Sequence, residues 1–164
     1  MTDGSQPAGN PAFSDALAAA RSAFENDQLD QADRRIDAVL TNARSLGRAF
    51  ELKALIAYRR GHAQTAARAF ATAVALLPAT GARQSNFAAV LRAAGQPQAA
   101  ERHYRRALAL DPDNAVTHNN LANLLRDSGR YDAAINHFER ALTRRPDYAQ
   151  AWANLGMCQR ARGD

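Results

Sequence analysis

The sequence predicts an all-α fold, a solenoid of antiparallel helix pairs, and three observations predict it. First, Gly61, Gly95, Gly129 and Gly163 are spaced 34 residues apart, and so are Pro78, Pro112 and Pro146. Second, between each glycine and its proline lies the same frame: Ala66, Phe70 and Ala73, then Ala100, Tyr104 and Ala107, then Ala134, Phe138 and Ala141. A fixed period of this length marks stacked supersecondary units, each burying its apolar face against its neighbours. Third, the composition is 46% apolar but only 7% aromatic, with alanine abundant. Alanine has the highest helix propensity and lets helices approach closely.

Each element follows in chain order. Met1 to Ala12 is rich in Gly, Pro, Ser and Asn, without a basic start or an apolar core. It reads as a disordered tail (1–12) and not as a signal peptide. Helices are expected at about 13–26, 29–44, 47–60, 63–77, 81–94, 97–110, 115–128, 131–144 and 149–162. The first helix of a pair is termed A and the second B. Each glycine falls at the end of an A helix, where a left-handed residue is favoured, and each proline falls where a B helix must stop. The two alanines flank the aromatic ring on one helical face at spacings of four and three. The solenoid therefore spans 13–164. A worn unit at 13–46 lacks the glycine and the proline. Units at 47–80, 81–114 and 115–148 follow, then a half unit at 149–164. Lys53 stands at a usually apolar position of the second unit. A relaxed first unit is expected of one with a neighbour on one side only.

This pattern resembles the tetratricopeptide repeat family. The fullest copy runs from Ala115 to Tyr148. It carries Leu121, Ala122, Leu125, Gly129, Tyr131, Ala134, Phe138, Ala141 and Pro146 where the family has large, small, large, Gly, Tyr, Ala, Phe, Ala and Pro. The unit 81–114 matches with Phe87, Ala88 and Leu91, but Pro97 replaces the usual aromatic after the turn. Trp152, Leu155, Gly156 and Gly163 match a further A helix, after which the sequence given stops. The resemblance implies a right-handed superhelix with A helices lining a concave groove and B helices on the convex side. It also implies a protein–protein interaction function.

The candidate site is the set of recurring polar residues on A helices that lie outside the packing frame. Position six of each unit holds Asn86, Asn120 and Asn154, and position twelve holds Arg92, Arg126 and Arg160, with Tyr58 one unit earlier. Helical spacing adds Asn123 and Asp127 to the face of position six. A carboxamide offers an acceptor and two donors, so it can bond both the C=O and the N–H of an extended peptide. The placement of Asn86, Asn120 and Asn154 is similar to the asparagine ladder in the repeat domain of O-linked N-acetylglucosamine transferases. The arginine row would favour acidic segments or a terminal carboxylate. The same positions also suit plain inter-repeat contacts for Asn and a solvated face for Arg. A carboxylate clamp of the chaperone-tail kind is disfavoured. Asn119, Asn123 and Asn154 stand in order, but the lysines such a clamp requires are missing.

Other chemistries find little support. The net charge is +5, but 20 of the 21 basic residues are arginine, scattered among 16 acidic residues with no run longer than a pair. That distribution reads as a GC-rich, bacterial coding bias and not as a nucleic-acid patch. A single cysteine, Cys158, excludes an intrachain disulfide, and no apolar run reaches the ~20 residues that span a bilayer. His103 and His137 recur at one repeat position, which argues for packing rather than a metal centre, and His118 stands where the family often has Trp. No catalytic residue, metal site or cofactor is expected. The leading expectation is a cytoplasmic module that binds a protein or peptide in its groove, with neither nucleic acid nor membrane as partner. Two alternatives stand beside it: the targeting domain of a larger bacterial glycosyltransferase or sulfotransferase, and a scaffold that forms homodimers through an uncapped C-terminal repeat.

Overall fold

The structure is a computed structural model that describes residues 11–42 and 46–163. Among the described residues the chain is wholly helical: α1 (Pro11–Glu25), α2 (Leu29–Asn42), α3 (Leu46–Arg59), α4 (Ala63–Leu76), α5 (Gly81–Ala93), α6 (Pro97–Leu110), α7 (Ala115–Asp127), α8 (Tyr131–Arg144) and α9 (Ala149–Arg162). The expected tail lies outside the described residues over 1–10, as does 43–45 at the expected end of the second helix. Helix α1 starts at Pro11, two residues before the expected position. A proline suits a first helical turn, since its φ is already helical and its missing N–H has no partner to lose. The helices fall into two compact units, Met1–Pro78 and Ala79–Asp164.

In the first unit, α1 packs on α2, α2 on α3, and α3 on α4. Ala20, Ala23, Ala32, Ile36, Val39, Ala49, Leu52 and Ile56 form one buried cluster, edged by Phe13, Leu17, Phe24 and Leu40. The missing turn glycine has a substitute. Asp27, one repeat length before Gly61, adopts φ 59°, beside +78° at Gly61, +73° at Gly95 and +73° at Gly129. The same bond closes each turn: Gln28 N–H reaches Ala23 O at 2.8 Å, His62 N–H reaches Ala57 O at 2.9 Å, and Arg130 N–H reaches Leu125 O at 3.0 Å. Arg59 braces the Asp27 turn. Its guanidinium lies 4.2 Å from the centre of the Phe24 ring and donates to Phe24 O at 3.0 Å. An aspartate tolerates the left-handed region better than most residues but still pays a steric cost there. Asp27→Gly is expected to raise stability by about 0.5–1 kcal/mol, read as an increase in denaturation midpoint.

The anomalous Lys53 is explained by α2. Its ammonium donates to Asp33 at 2.7 Å and Asp37 at 2.6 Å. Burial works against the charge, but the two carboxylates outweigh it and hold the Lys53 pKa above its ordinary value. Arg60 pairs with Asp30 and Asp33 on the same helix. An apolar contact at this repeat position is thus replaced by an ion network that ties α2 to α3.

In the second unit, α5 packs on α6, α7 on α6 and α8, and α9 on α8; α7 also touches α5 and α9. The repeat frame forms the core: Ala100, Tyr104 and Ala107 on α6, and Ala134, Phe138 and Ala141 on α8, are all buried. Thr80 Oγ1 accepts from Arg83 N–H, and Asn114 Oδ1 accepts from Thr117 N–H, capping α5 and α7. At Gly81 the reason for glycine is close approach, since a Cβ there would come within 2.8 Å of Asp111 Cβ.

Candidate functional site

The second unit buries polar side chains on one kind of helix only. Among the described residues, the buried polar groups are Gln84 and Ser85 on α5, Thr117, His118, Asn119 and Asn123 on α7, and Asn154 on α9. All of these are A helices. The buried residues of α6 and α8 are Ala, Tyr, Phe, Ile and Leu. Burying a polar group is costly unless it is hydrogen-bonded, and most of these are. Thr117 Oγ1 donates to Ser85 Oγ at 2.9 Å, linking α7 to α5. Asn154 Nδ2 donates to Asn119 Oδ1 at 3.2 Å, linking α9 to α7, and Asn119 Nδ2 donates to Asn120 Oδ1 at 3.4 Å. One atom is left over. Asn123 Oδ1, one turn beyond Asn119, is buried without a partner.

The three asparagines of position six are not equivalent. Asn86 is exposed, Asn120 half-buried and Asn154 buried. Asn154 already spends one donor on Asn119, so the three asparagines form a graded row. The arginine row has an acidic neighbour. Arg92 pairs with Asp127 across 3.8 Å, and Arg126 pairs with the same Asp127 at 3.1 Å. Asp127 therefore offsets one of the positive charges the row presents, while Arg160 is exposed at the end of α9. Tyr58 lies on α3 in the first unit, 40% exposed. Residues Ser85 and Thr117, absent from the expected site, occupy the contact between α5 and α7. Their signal in the sequence was weak, because Ser and Thr in a helix usually face solvent or bond back to their own turn.

The histidines have defined partners. His118 Nε2 lies 2.9 Å from Pro112 O, and Trp152, one repeat later, places Nε1 2.9 Å from Pro146 O. The imidazole thus does the work of an indole N–H, donating to the carbonyl of the preceding repeat's proline. His103 Nδ1 lies 2.7 Å from Gln84 Oε1, and His118 Nδ1 lies 2.9 Å from His137 Nδ1. Cys158 is buried, and burial raises its thiol pKa, which keeps it in the unreactive form. Among the described residues no group of three or more His, Cys, Asp or Glu is placed to hold a metal ion, and no helix is long and apolar enough to cross a membrane.

Comparison with known proteins places this arrangement. The tetratricopeptide repeat (TPR) family model matches residues 78–147 and 113–164, just over half of the chain. No curated protein matches. Among solved structures, MamA superposes with TM-score 0.82 at 18% identity, covering 92% of this chain and 82% of its own. YrrB, described as a TPR protein with an unusual peptide-binding site, gives TM-score 0.76 at 20% identity, covering 90% of this chain and 76% of its own. A tetratricopeptide repeat protein from Parabacteroides merdae gives 0.81 at 16% identity, covering 94% of this chain and 61% of its own. At these identities the likeness concerns the fold alone. The all-α helix-pair architecture, the 34-residue frame and the family match agree: this chain belongs to the tetratricopeptide repeat family.

Proposed function

We propose that the chain is a protein–protein interaction module that holds an extended peptide along the A-helix face of its second unit. The observation that carries this reading is Asn123 Oδ1, a buried acceptor left without a donor beside the bonded Asn119–Asn154 pair. An unpaired buried acceptor costs about 1–3 kcal/mol, which a peptide N–H would recover once the Asn123 carboxamide turns outward to meet it. Asn120, half-buried, and Asn86, exposed, supply further carboxamides on the same helical position. This graded form of the asparagine row suits main-chain recognition at its buried end and adaptable contacts at its open end. The pairing of Asp127 with Arg92 and Arg126 favours a ligand read through its main chain over one selected for strong negative charge. The description of YrrB as carrying a peptide-binding site is consistent with this use of the fold.

The test starts from peptides selected against the full chain from a random display library. Asn120→Ala combined with Asn123→Ala is expected to weaken the selected peptides roughly 5- to 150-fold, the span of about 1–3 kcal/mol, by titration calorimetry. Asn136→Ala on α8 should leave binding unchanged. Loss of binding in the α8 variant with retention in the α7 variant would place the ligand on the B helices and sink the reading.

A further inference from the structure

The histidine pair between α7 and α8 has a restriction that its counterpart between α5 and α6 lacks. A backbone carbonyl only accepts, so the 2.9 Å contact to Pro112 O fixes the proton of neutral His118 on Nε2. Trp152 fills the equivalent place with an indole N–H, which can only donate. His118 Nδ1 is therefore the acceptor, and His137 Nδ1–H donates to it across 2.9 Å. In the preceding repeat His103 Nδ1–H donates to Gln84 Oε1 at 2.7 Å. The B-helix histidine is the donor both times. The A-helix acceptor is a carboxamide in one repeat and an imidazole in the next.

The two acceptors respond differently to acid. His103 and His137 can each take a second proton on Nε2 and keep Nδ1–H as donor. His118 has one free nitrogen, and it is the one holding the contact. A proton there sets two N–H groups against each other at hydrogen-bond distance, and the pair must part. We propose that the α7–α8 seam is an acid-sensitive joint whose trigger is the acceptor nitrogen of His118, whereas in α5–α6, with Gln84 in that place, the contact itself survives a second proton on His103.

The surroundings oppose a charge on either ring. His118 is almost fully buried. Its pKa is lowered by burial first; the bond to Pro112 acts against that, Arg140 and Arg144 of α8 add to it, and Asp113 of the α6–α7 connection opposes it. His137 is brought down to about 4 by burial, then by His118, by Arg140 of α8 and by Arg105 of α6. Asp113 is itself engaged by Arg144 at 2.6 Å. Unfolded imidazoles titrate near 6.5, so between that pH and about 4 the unfolded chain binds more protons than the folded one. Stability is then complete above about 6.5 and falls as the pH drops through this window.

The experiment compares urea unfolding of the full chain and of His118→Gln, which copies the Gln84 arrangement, at about pH 7.5 and about pH 5. One refused proton changes the folding equilibrium about tenfold per pH unit below 6.5. The native chain should therefore lose more than the variant between the two conditions, by up to about tenfold for each pH unit below 6.5. Equal losses would overturn the proposal. Imidazole nitrogen NMR on the native chain gives a second reading that requires no variant. The expected tautomers are Nε2–H on His118 and Nδ1–H on His137 at neutral pH, and the reverse assignment would overturn it equally.

Discussion

Phe138→Ala is expected to lower the stability of the second unit by about 3–5 kcal/mol, the range for emptying a large aromatic site in a core. Phe138 is fully buried on α8, flanked by Ala134 and Ala141, which are also fully buried. The alanines explain the size of the effect. Small side chains let neighbouring helices pack close to α8, and their methyl groups cannot swing into the space a removed ring leaves. Filling it would require whole helices to move, and rigid neighbours relax only in part. Against a typical total of about 5–15 kcal/mol, this loss removes a large share. Repeat arrays divide their stability among units and interfaces, so the damage should be uneven. Amide exchange should accelerate in α7, α8 and α9 well before α1–α4. Uniform acceleration along the chain, or a loss below about 1 kcal/mol in chemical denaturation, would contradict this account.

The frame that holds Phe138 was legible in the sequence because it rests on covalent geometry. A glycine at a left-handed turn, a proline after a helix and a small–aromatic–small face each follow from local backbone or rotamer limits, and three copies in register fix the period. The substitutions that break the frame were less legible because their partners lie far along the chain. Asp27 takes the left-handed position with help from Arg59, 32 residues away. Lys53 is acceptable at an apolar position only because Asp33 and Asp37 face it from α2. Position six was visible as a row of asparagines, but its grading from exposed Asn86 to buried Asn154 was not. Burial there depends on which side chains the adjoining A helix presents, and Asn119 lies outside the row. The same holds for the arginine row, where the pairing of Arg92 with Asp127 is a contact between α5 and α7.

Asn119→Ala is expected to cost about 1–3 kcal/mol, while Asn119→Leu combined with Asn154→Leu should cost less than the single change and can raise stability. Asn119 is 1% exposed and accepts the Asn154 amide at 3.2 Å across the contact between α7 and α9. Removing it alone leaves the Asn154 amide buried beside a methyl group, and an orphaned buried donor forfeits its full desolvation penalty. Replacing both partners removes the penalty together with the bond, which is why apolar exchanges of whole polar pairs are often neutral or stabilising. The thermodynamic cycle over the two sites, completed with each single leucine variant, should show a coupling of about 0.5–3 kcal/mol. Additive losses would mean the 3.2 Å contact contributes nothing. If the double variant is as stable as the native chain but no longer binds selected peptides, then the polar seam is kept for recognition at the expense of packing. On that outcome the confinement of buried polar groups to A helices has a functional cause, since an apolar seam would have served the fold equally well.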